Sequence, residues 1–233
     1  MKNTFKKLFI SFTVLSLTAC GSTTMQDNTF AAKENKDFTK YTNQLVVEYA
    51  ENDYTTMHQF FEHPEDYGID VNKVDISLGE FYTDNTEEIK EDQKELKKFN
   101  RSTLDKTQQT IYDELKYENE LSLKAENKKF QYLNNCWSTM SGLHQSLISV
   151  FSEYILRNEQ DIKDLITLIN DVPRYTNDVL EYTKEQADKN TLQFDYESVT
   201  QDIQDVINNK EDSSITSALY NAIDSLNLDE EKT

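Results

Sequence analysis

The chain has 233 residues and a formal net charge of −19, from 24 Lys and Arg against 43 Asp and Glu. A surface this acidic repels phosphate backbones and anionic lipid headgroups, which excludes a nucleic-acid partner. Because 13 Tyr and 12 Phe supply the apolar surface that a core requires, we expect a folded chain and not a disordered one. Only four Gly and two Pro leave little turn chemistry, so the composition predicts an all-α, irregular bundle of long helices.

The first 20 residues, MKNTFKKLFISFTVLSLTAC, have the parts of a secretory signal peptide. Lys2, Lys6 and Lys7 form a basic end, an apolar stretch follows, and small residues precede Cys20. The apolar stretch is too short to span a bilayer as a mature helix. LTAC followed by Gly-Ser resembles the bacterial lipoprotein box, which implies cleavage after residue 19 and lipidation of Cys20 by acyl groups such as palmitate.

This resemblance predicts a protein that is anchored to the extracytoplasmic face of the cell membrane through lipid on Cys20. The alternative is an ordinary secretory signal that leaves Cys20 as a free thiol or removes it. Loss of the leader takes away three lysines, so the mature net charge becomes −22 and attachment must depend on the lipid. With Cys20 lipidated, only Cys136 remains and no intrachain disulfide can form. We expect a tether over 20–36.

A helical domain is predicted for 37–228, with a frayed tail at 229–233. Apolar residues recur every three or four positions from Phe38 to Phe61, which predicts the first helix. In the following loop, alternating apolar residues allow at most one short extended segment. In the sequence STLD, Ser102 is predicted to cap a helix, with Asp105 reaching back to the first free amide. The further predicted helices are 86–99, from STLD to about 130, 159–188, 196–207 and 214–226.

Pro173 lies within the predicted helix 159–188. A proline has no amide proton to donate and its ring crowds the preceding turn. We therefore expect this helix to kink or break at Pro173.

The stretch CWSTMSGLHQSLISVFSEY, residues 136–154, contains the only Trp, one of two Cys and one of three His. Cys136 and His144 are eight residues apart, which places them on different faces of a helix, so we expect Cys136 to be a small core residue. His58 and Glu62 are four apart on one predicted helix face, but two ligands do not make a metal site. We therefore predict no catalytic residue, metal site or cofactor in this chain.

Four segments resemble, in order and spacing, the amino-terminal half of a large bacterial family, domain of unknown function 885. They are FFEHPEDYGID, VDISLGEF, LDKTQQTIYDELKYENEL, and SGLHQSLISVFSEYILRNEQDIKDLITLINDVPRYTNDVLEYTKEQADKN. The resemblance covers Phe38 to Leu228, and its most specific pieces are SGLHQSLISVFSEY and INDVPRYTNDVLEYTKEQ. It implies a helical protein similar to zinc metallopeptidases.

In that family the zinc motif lies in the carboxy-terminal half, which this resemblance does not reach, so no metal ligand or general base transfers to any position here. What it implies is a helical lobe, which in helical zinc peptidases forms one wall of the substrate cleft. The family pattern has a small-residue turn and a polar residue within residues 136–154. These positions select four candidate ligand-contacting residues: Ser141, Gly142, His144 and Gln145. The alternative, which we favour, is that they start a core helix packed against helix 159–188.

Three functional hypotheses follow. In the first, the chain is a non-catalytic lipoprotein that binds a peptide or protein partner. In the second, it is the amino-terminal part of a split or truncated zinc metallopeptidase-like enzyme whose catalytic half is on another chain. In the third, it is a general extracytoplasmic binding lipoprotein. A lobe that pairs with a second half should expose a broad apolar patch.

Overall fold

The computed structural model describes residues 33–209 and 214–226, so the leader, Cys20, most of the tether and the tail lie outside the described residues. Within these two ranges the fold is all-α, as predicted, and contains no strand. None of the helices in them is long and apolar enough to span a bilayer. The helices are α1 (Lys36–Asn52), α2 (Tyr54–Phe60), α3 (Thr86–Leu96), α4 (Lys106–Ala125), α5 (Leu143–Ser152), α6 (Glu159–Asp188), α7 (Tyr196–Asn208) and α8 (Ser214–Ser225).

The described residues form two compact units. The first combines 33–49 with Thr83–Gln131, and the second combines Ala50–Tyr82 with 132–209 and 214–226. The prediction of one helical domain over 37–228 stays a prediction.

The first unit is built on the packing of α3 against α4. Its core contains Phe38, Leu96, Leu104 and Leu115, and the Phe38 ring meets the Phe99 ring edge-on at 5.1 Å between centroids. An edge-to-face aromatic pair stabilises such a core beyond its buried area. The core of the first unit is therefore built from large aromatic and aliphatic side chains.

Helix α4 begins with a capping box, but not at the predicted residue. Asp105 is the N-cap, its carboxylate accepts from the Gln108 amide at 2.8 Å, and the Gln108 side chain accepts from the Asp105 amide in return. The prediction of Ser102 as the cap is wrong, because Ser102 lies in a short 3₁₀ turn and its hydroxyl donates to Asn100 at 2.9 Å. Helix α4 also ends at Ala125, before the predicted limit near residue 130.

The predicted helix from Phe38 to Phe61 is divided into α1 and α2 at Asp53. This residue has extended backbone angles, φ −138° and ψ 101°, and its carboxylate accepts from the Thr56 amide at 3.0 Å. Aspartate competes with the helical backbone for amide protons, so it starts a new helix more readily than it continues one. The apolar periodicity continues across the break, which is why periodicity alone does not reveal it.

In the second unit, α6 runs for 30 residues and buries Leu165, Leu168, Val179 and Tyr182. Pro173 does not break α6, so of the two predicted outcomes the break is wrong and the kink stays a prediction. The carbonyl of Ile169, which loses its amide donor at Pro173, belongs to a residue that is 43% exposed. Water can satisfy a carbonyl at such a position, which makes proline tolerable there.

Helix α5 packs mainly against α8. At its start, Leu143 packs on a core cluster that contains Cys136, Val179 and Tyr182. The start of this helix therefore packs on a cluster to which α6 contributes Val179 and Tyr182, while the main neighbour of the helix is α8 and not α6 as predicted.

The loop before α3 is held to α6 by polar contacts. The Leu78 amide donates to Asp171 at 2.8 Å, and Arg174 donates to the Gly79 carbonyl at 2.8 Å. Earlier in the loop, Val71–Lys73 forms a 3₁₀ turn. The one extended segment that the sequence allowed is therefore not a strand.

Candidate functional site

A cleft of about 400 Å³ in the second unit is the candidate site. Three segments line it: helix α2, the loop that follows α2, and the beginning of α6. The first two supply all the aliphatic lining side chains together with polar ones such as Glu62, and the beginning of α6 supplies only polar ones, which we call the polar wall. We call Met57, Phe61, Val71, Val74 and Ile76 the apolar wall. The space is named the His58 cleft after the histidine that lines it.

The loop that forms the apolar wall has a defined shape. Pro64 begins a 3₁₀ turn that ends at Gly68, whose φ of 79° is in the left-handed region that favours glycine. Ile69 is then buried, and the Asp70 amide donates to the Glu51 carboxylate at 2.9 Å. The sequence HPEDYGID therefore returns the chain to α1 and places Val71 beside the cleft.

His58 lies in α2 between two tyrosine rings. Its ring is nearly parallel to those of Tyr54 and Tyr154, with centroids 5.5 and 4.3 Å away. Its Nε2 is 2.6 Å from the Ile155 carbonyl oxygen, which only accepts, so Nε2 carries the proton. In the neutral ring, Nδ1 is then an acceptor, and it lies 3.9 Å from the nearer carboxylate oxygen of Asp161.

Burial lowers the pKa of His58 below its usual 6.5, because the charged imidazolium loses its water. The Ile155 carbonyl and Asp161 act in the opposite direction, while the Arg157 guanidinium adds to the lowering. The burial effect is the largest. We conclude that His58 is neutral at pH 7 and offers an acceptor to the cleft.

Tyr54, Tyr154 and Asp164 form a hydrogen-bonded cluster next to His58. The Tyr54 hydroxyl donates to Asp164 at 3.0 Å and lies 2.8 Å from the Tyr154 hydroxyl, which is itself 3.2 Å from the Asp161 carbonyl oxygen. Burial raises the pKa of both tyrosines, so both keep their protons. The two hydroxyl protons are shared among these three contacts. The strongest of the hydrogen bonds is the one that Tyr54 donates to Asp164, because its acceptor is charged.

The beginning of α6 is a reciprocal cap. Asn158 accepts from the amides of Gln160 and Asp161 at 2.8 and 3.3 Å, and one oxygen of Asp161 accepts from the amides of Arg157 and Asn158 at 2.6 and 3.0 Å. The sequence NEQD thus fixes the polar wall before any ligand arrives. The Arg157 guanidinium also lines the cleft, where it donates to the His58 carbonyl at 2.9 Å and lies 3.4 Å from His58 Nε2.

A second, smaller cavity of about 160 Å³ also has His58 in its wall. Its other lining residues come from α2 and from the end of α5 and the residues just after it, including Glu153 and Tyr154. His58 therefore lines two cavities.

The four candidate ligand-contacting residues lie elsewhere. Ser141 is exposed, Gly142 is buried and Gln145 is half-buried. The side chain of His144 is 10% exposed, and its Nε2 lies 3.8 Å from Asp202. Neither the His58 cleft nor the smaller cavity is lined by any of the four. Their role as ligand contacts stays a prediction.

Gly142 has a structural reason to be glycine. A Cβ atom there would lie 2.5 Å from the Ser138 carbonyl oxygen and 2.6 Å from the Ser138 amide nitrogen. The loop is this tight because the Gly142 amide donates to Ser138 at 2.8 Å and the Leu143 amide donates to Cys136 at 2.9 Å. The small-residue turn is thus explained by a close backbone approach.

Cys136 is a small core residue, as predicted. It is 6% exposed in the cluster with Val179 and Tyr182. Burial raises the pKa of its thiol to about 11. A thiol with this pKa is a poor nucleophile at neutral pH.

Across residues 33–209 and 214–226, no three His, Cys, Asp or Glu side chains are placed to hold a metal ion together. Glu62 lies beyond the end of α2, yet it and His58 both line the cleft. His63 is on the surface, with Nδ1 3.9 Å from Glu65.

A family model described as "Bacterial protein of unknown function (DUF885)" matches residues 67–233. The chain belongs to the DUF885 family. The resemblance in the sequence is confirmed at this level, although the match begins at Tyr67 and not at Phe38. It therefore includes the polar wall of the cleft and excludes α2 with His58. No curated protein and no solved structure matches this DUF885 member.

Sequence reasoning missed the residues that the structure brings together. His58 and Ile155 are 97 positions apart, and Tyr54 and Asp164 are 110 apart, so no local spacing relates them. One local signal did exist, because Asn158 and Asp161 have the spacing of a capping box. Tyr154 also stood at a position of the family pattern.

Proposed function

We propose that this DUF885 member is a lipid-anchored extracytoplasmic protein that binds a peptide segment of a partner in the His58 cleft. The main support is a cleft whose polar wall is already held in place. Its volume, about 400 Å³, falls within the range of ligand-binding pockets, about 300–1,000 Å³. An apolar wall suits a side chain, and acceptors on the opposite wall suit the amides of a peptide backbone.

Preorganisation favours binding because the protein loses little conformational freedom when the ligand arrives. The contacts of Asn158, Asp161 and Tyr54 are made within the chain. A ligand then only needs to displace water from Val71, Val74 and Ile76 on the other wall.

Anchoring through Cys20 follows from the leader and lipoprotein box. It is tested by growing cells with an alkyne analogue of palmitate and labelling the full chain. We expect the label in the natural chain and none in a Cys20→Ser variant. Equal labelling of the two would contradict the anchor.

Peptide binding is tested on the full chain in detergent micelles, with a mixed pool of capped pentapeptides and mass spectrometry of those retained. Val71→Trp should block the cleft, since Val71 lies on its wall and is 47% exposed. Leu121→Trp, at a 52% exposed position in α4, is the matched control. We expect retention by the natural chain and Leu121→Trp, and loss in Val71→Trp. Retention by none, or equally by all three, would overturn the proposal.

One observation favours the second hypothesis, a lobe of a larger enzyme. On α6, Ile166, Ile169 and Leu180 are 52%, 43% and 42% exposed. Their spacing places them on one helix face, away from the buried Leu168, and the buried Leu165 lies at the edge of this face, one turn before Ile169. Purification from native membranes should then recover one stoichiometric protein that is lost in an Ile166→Asp variant.

A further inference from the structure

We propose that the His58 cleft selects a peptide segment in which a lysine or arginine stands next to an apolar residue. This inference rests on the proposed function and names its ligand class. Three carboxylates, those of Glu62, Asp161 and Asp164, line the cleft. Its one guanidinium, that of Arg157, donates to the His58 carbonyl at 2.9 Å.

Among the residues that the structure describes, the carboxylate of Asp164 accepts from neutral groups alone, which leave its charge in place. Its two oxygens accept from the Gln160 amide group at 2.7 Å and from the Tyr54 hydroxyl at 3.0 Å. Each oxygen has a further lone pair, so a cation can still be received. Asp161 and Asp164 are three residues apart on α6 and hence lie on the same face.

His58 adds a buried acceptor that points to a ligand. Its side chain is only 8% exposed, and its Nε2 proton is given to the Ile155 carbonyl. Nδ1 lies 3.9 Å from Asp161, which is too long for a hydrogen bond, and the neutral ring and the carboxylate both offer acceptors there. An ammonium group has three donors and no acceptor, which suits Nδ1 and two carboxylates together.

An anionic ligand fits the same wall poorly, although a helix N-terminus ordinarily attracts anions. The amides of Gln160 and Asp161 donate to Asn158, and those of Arg157 and Asn158 donate to Asp161. These donors are already used. An incoming carboxylate would therefore meet Asp164 and Glu62 without free amides to bind it.

The apolar wall is the reason for expecting an apolar residue next to the lysine or arginine of the peptide. Met57 and Phe61 on α2, with Val71 and Ile76 in the loop, line the side of the cleft that does not belong to α6. Burial of one leucine-sized side chain against such a wall is favourable. A segment with one cationic and one apolar side chain therefore contacts both walls at once.

The charge of the whole chain acts in the same direction. A net charge of −19 raises the local concentration of a cationic segment and increases its association rate. This contribution is screened by salt. Binding of a cationic peptide should therefore weaken as sodium chloride is raised, and binding of a neutral peptide should not.

The test uses the full chain in micelles and three labelled pentapeptides, Ac-Ala-Lys-Leu-Ala-Ala-NH2 and its analogues with Gln or Glu in place of Lys. Fluorescence polarisation gives the three dissociation constants. We expect the Lys peptide to bind about tenfold more tightly than the Gln peptide, an effect typical of one charge-assisted contact, and the Glu peptide to bind most weakly.

Two variants locate the effect. Asp164→Asn removes the charge but keeps only one of the two oxygens that accept from Gln160 and Tyr54. Glu62→Gln removes a charge at an exposed position where folding is not at risk. Each should weaken the Lys peptide by about three- to tenfold, as loss of a partly exposed charge contact does, and weaken the Gln peptide by a smaller factor, so that the ratio of the two dissociation constants falls. Glu120→Gln, an equal charge change on α4 in the first unit, is the control and should alter neither peptide.

The outcomes separate the two proposals. If the three peptides bind equally, or the Glu peptide binds best, charge selection is overturned while peptide binding stands. If the two cleft variants and Glu120→Gln weaken the Lys peptide alike, the preference arises from overall charge and the cleft assignment is overturned. If no pentapeptide of any sequence binds, the proposed function itself fails.

Discussion

Replacing Tyr54 with Phe removes one hydroxyl group from the cluster beside the His58 cleft and little else. The ring and its parallel contact with His58, at 5.5 Å between centroids, remain. What is lost is the bond to Asp164 at 3.0 Å and the contact with the Tyr154 hydroxyl at 2.8 Å. Tyr154 keeps the Asp161 carbonyl as an acceptor at 3.2 Å, so its proton is not left unpaired.

The magnitude follows from the charge of the acceptor. A hydrogen bond to a charged group contributes about 1.5–3 kcal/mol, and a neutral pair contributes about 1 kcal/mol. We therefore expect Tyr54→Phe to lower the free energy of unfolding by about 2 kcal/mol and Tyr154→Phe by about 1 kcal/mol. Because the two hydroxyls share a contact, the double variant should lose less than the sum.

Urea unfolding followed by the fluorescence of Trp137 measures this loss. Trp137 is the only tryptophan, and it packs against the core cluster around Cys136. Trp137 and Tyr54 belong to the same unit, so its fluorescence reports the unfolding of that unit. Tyr196→Phe, at a 68% exposed position in the same unit, is the control and should change stability by less than about 0.5 kcal/mol. If Tyr54→Phe is no more costly than Tyr196→Phe, the hydrogen-bonded cluster is wrong.

Four further predictions follow from single features. Asp105→Ala should destabilise the first unit by about 1 kcal/mol through loss of the α4 cap, whereas Ser102→Ala should destabilise it by less than about 0.5 kcal/mol. Circular dichroism during urea unfolding measures both losses, and equal losses would restore Ser102 as the cap. Gly142→Ala should destabilise the second unit by about 2 kcal/mol or more, because its Cβ would lie 2.5 Å from a backbone oxygen; an unchanged urea midpoint would contradict the tight loop. With a pKa of about 11, Cys136 is thiolate in only about one molecule in a thousand at pH 8. In a Cys20→Ser variant, Ellman's reagent should therefore react slowly with Cys136 until urea is added. Rapid reaction with the folded protein would refute the burial of Cys136. Since the folded pKa of His58 is below its unfolded value of 6.5, the unfolded chain binds more protons than the folded one. The free energy of unfolding should therefore fall as pH is lowered from about 7.5 through 6.5. His58→Gln should reduce the slope of unfolding free energy against pH, and an identical slope would contradict a buried, neutral His58.

Local sequence patterns predicted most helices, but they did not predict the N-caps of α2 and α4 correctly. Helix α6 begins and ends where its apolar stripe does, at Glu159 and Asp188, because that stripe is continuous and buried on one side. The break at Asp53 and the cap at Asp105 were missed or displaced because aspartate has both helical and capping roles. Which role applies depends on packing: Tyr54 and Met57 beyond the break are buried.

The candidate site depends on contacts that no spacing predicts. His58 meets Ile155 and Arg157, which follow it by about a hundred residues. The rare residues near Cys136 are chemically distinctive, which made them candidates for a site. In the fold, Cys136 and Trp137 fill the core, and Gly142 permits a close backbone approach. Rarity in the sequence thus indicated packing, whereas the cleft is lined by common side chains.

The central claim, that a cationic and apolar peptide segment lies in the His58 cleft, is tested most directly by photo-crosslinking. The full chain would carry p-benzoylphenylalanine in place of Asn72, an exposed residue that lines the cleft, or in place of Leu121 as a control, and be irradiated with the Lys pentapeptide. We predict a mass-spectrometric adduct at position 72, absent at 121 and strongly reduced by Glu62→Gln. Equal adducts at 72 and 121, or none at 72, would contradict the claim.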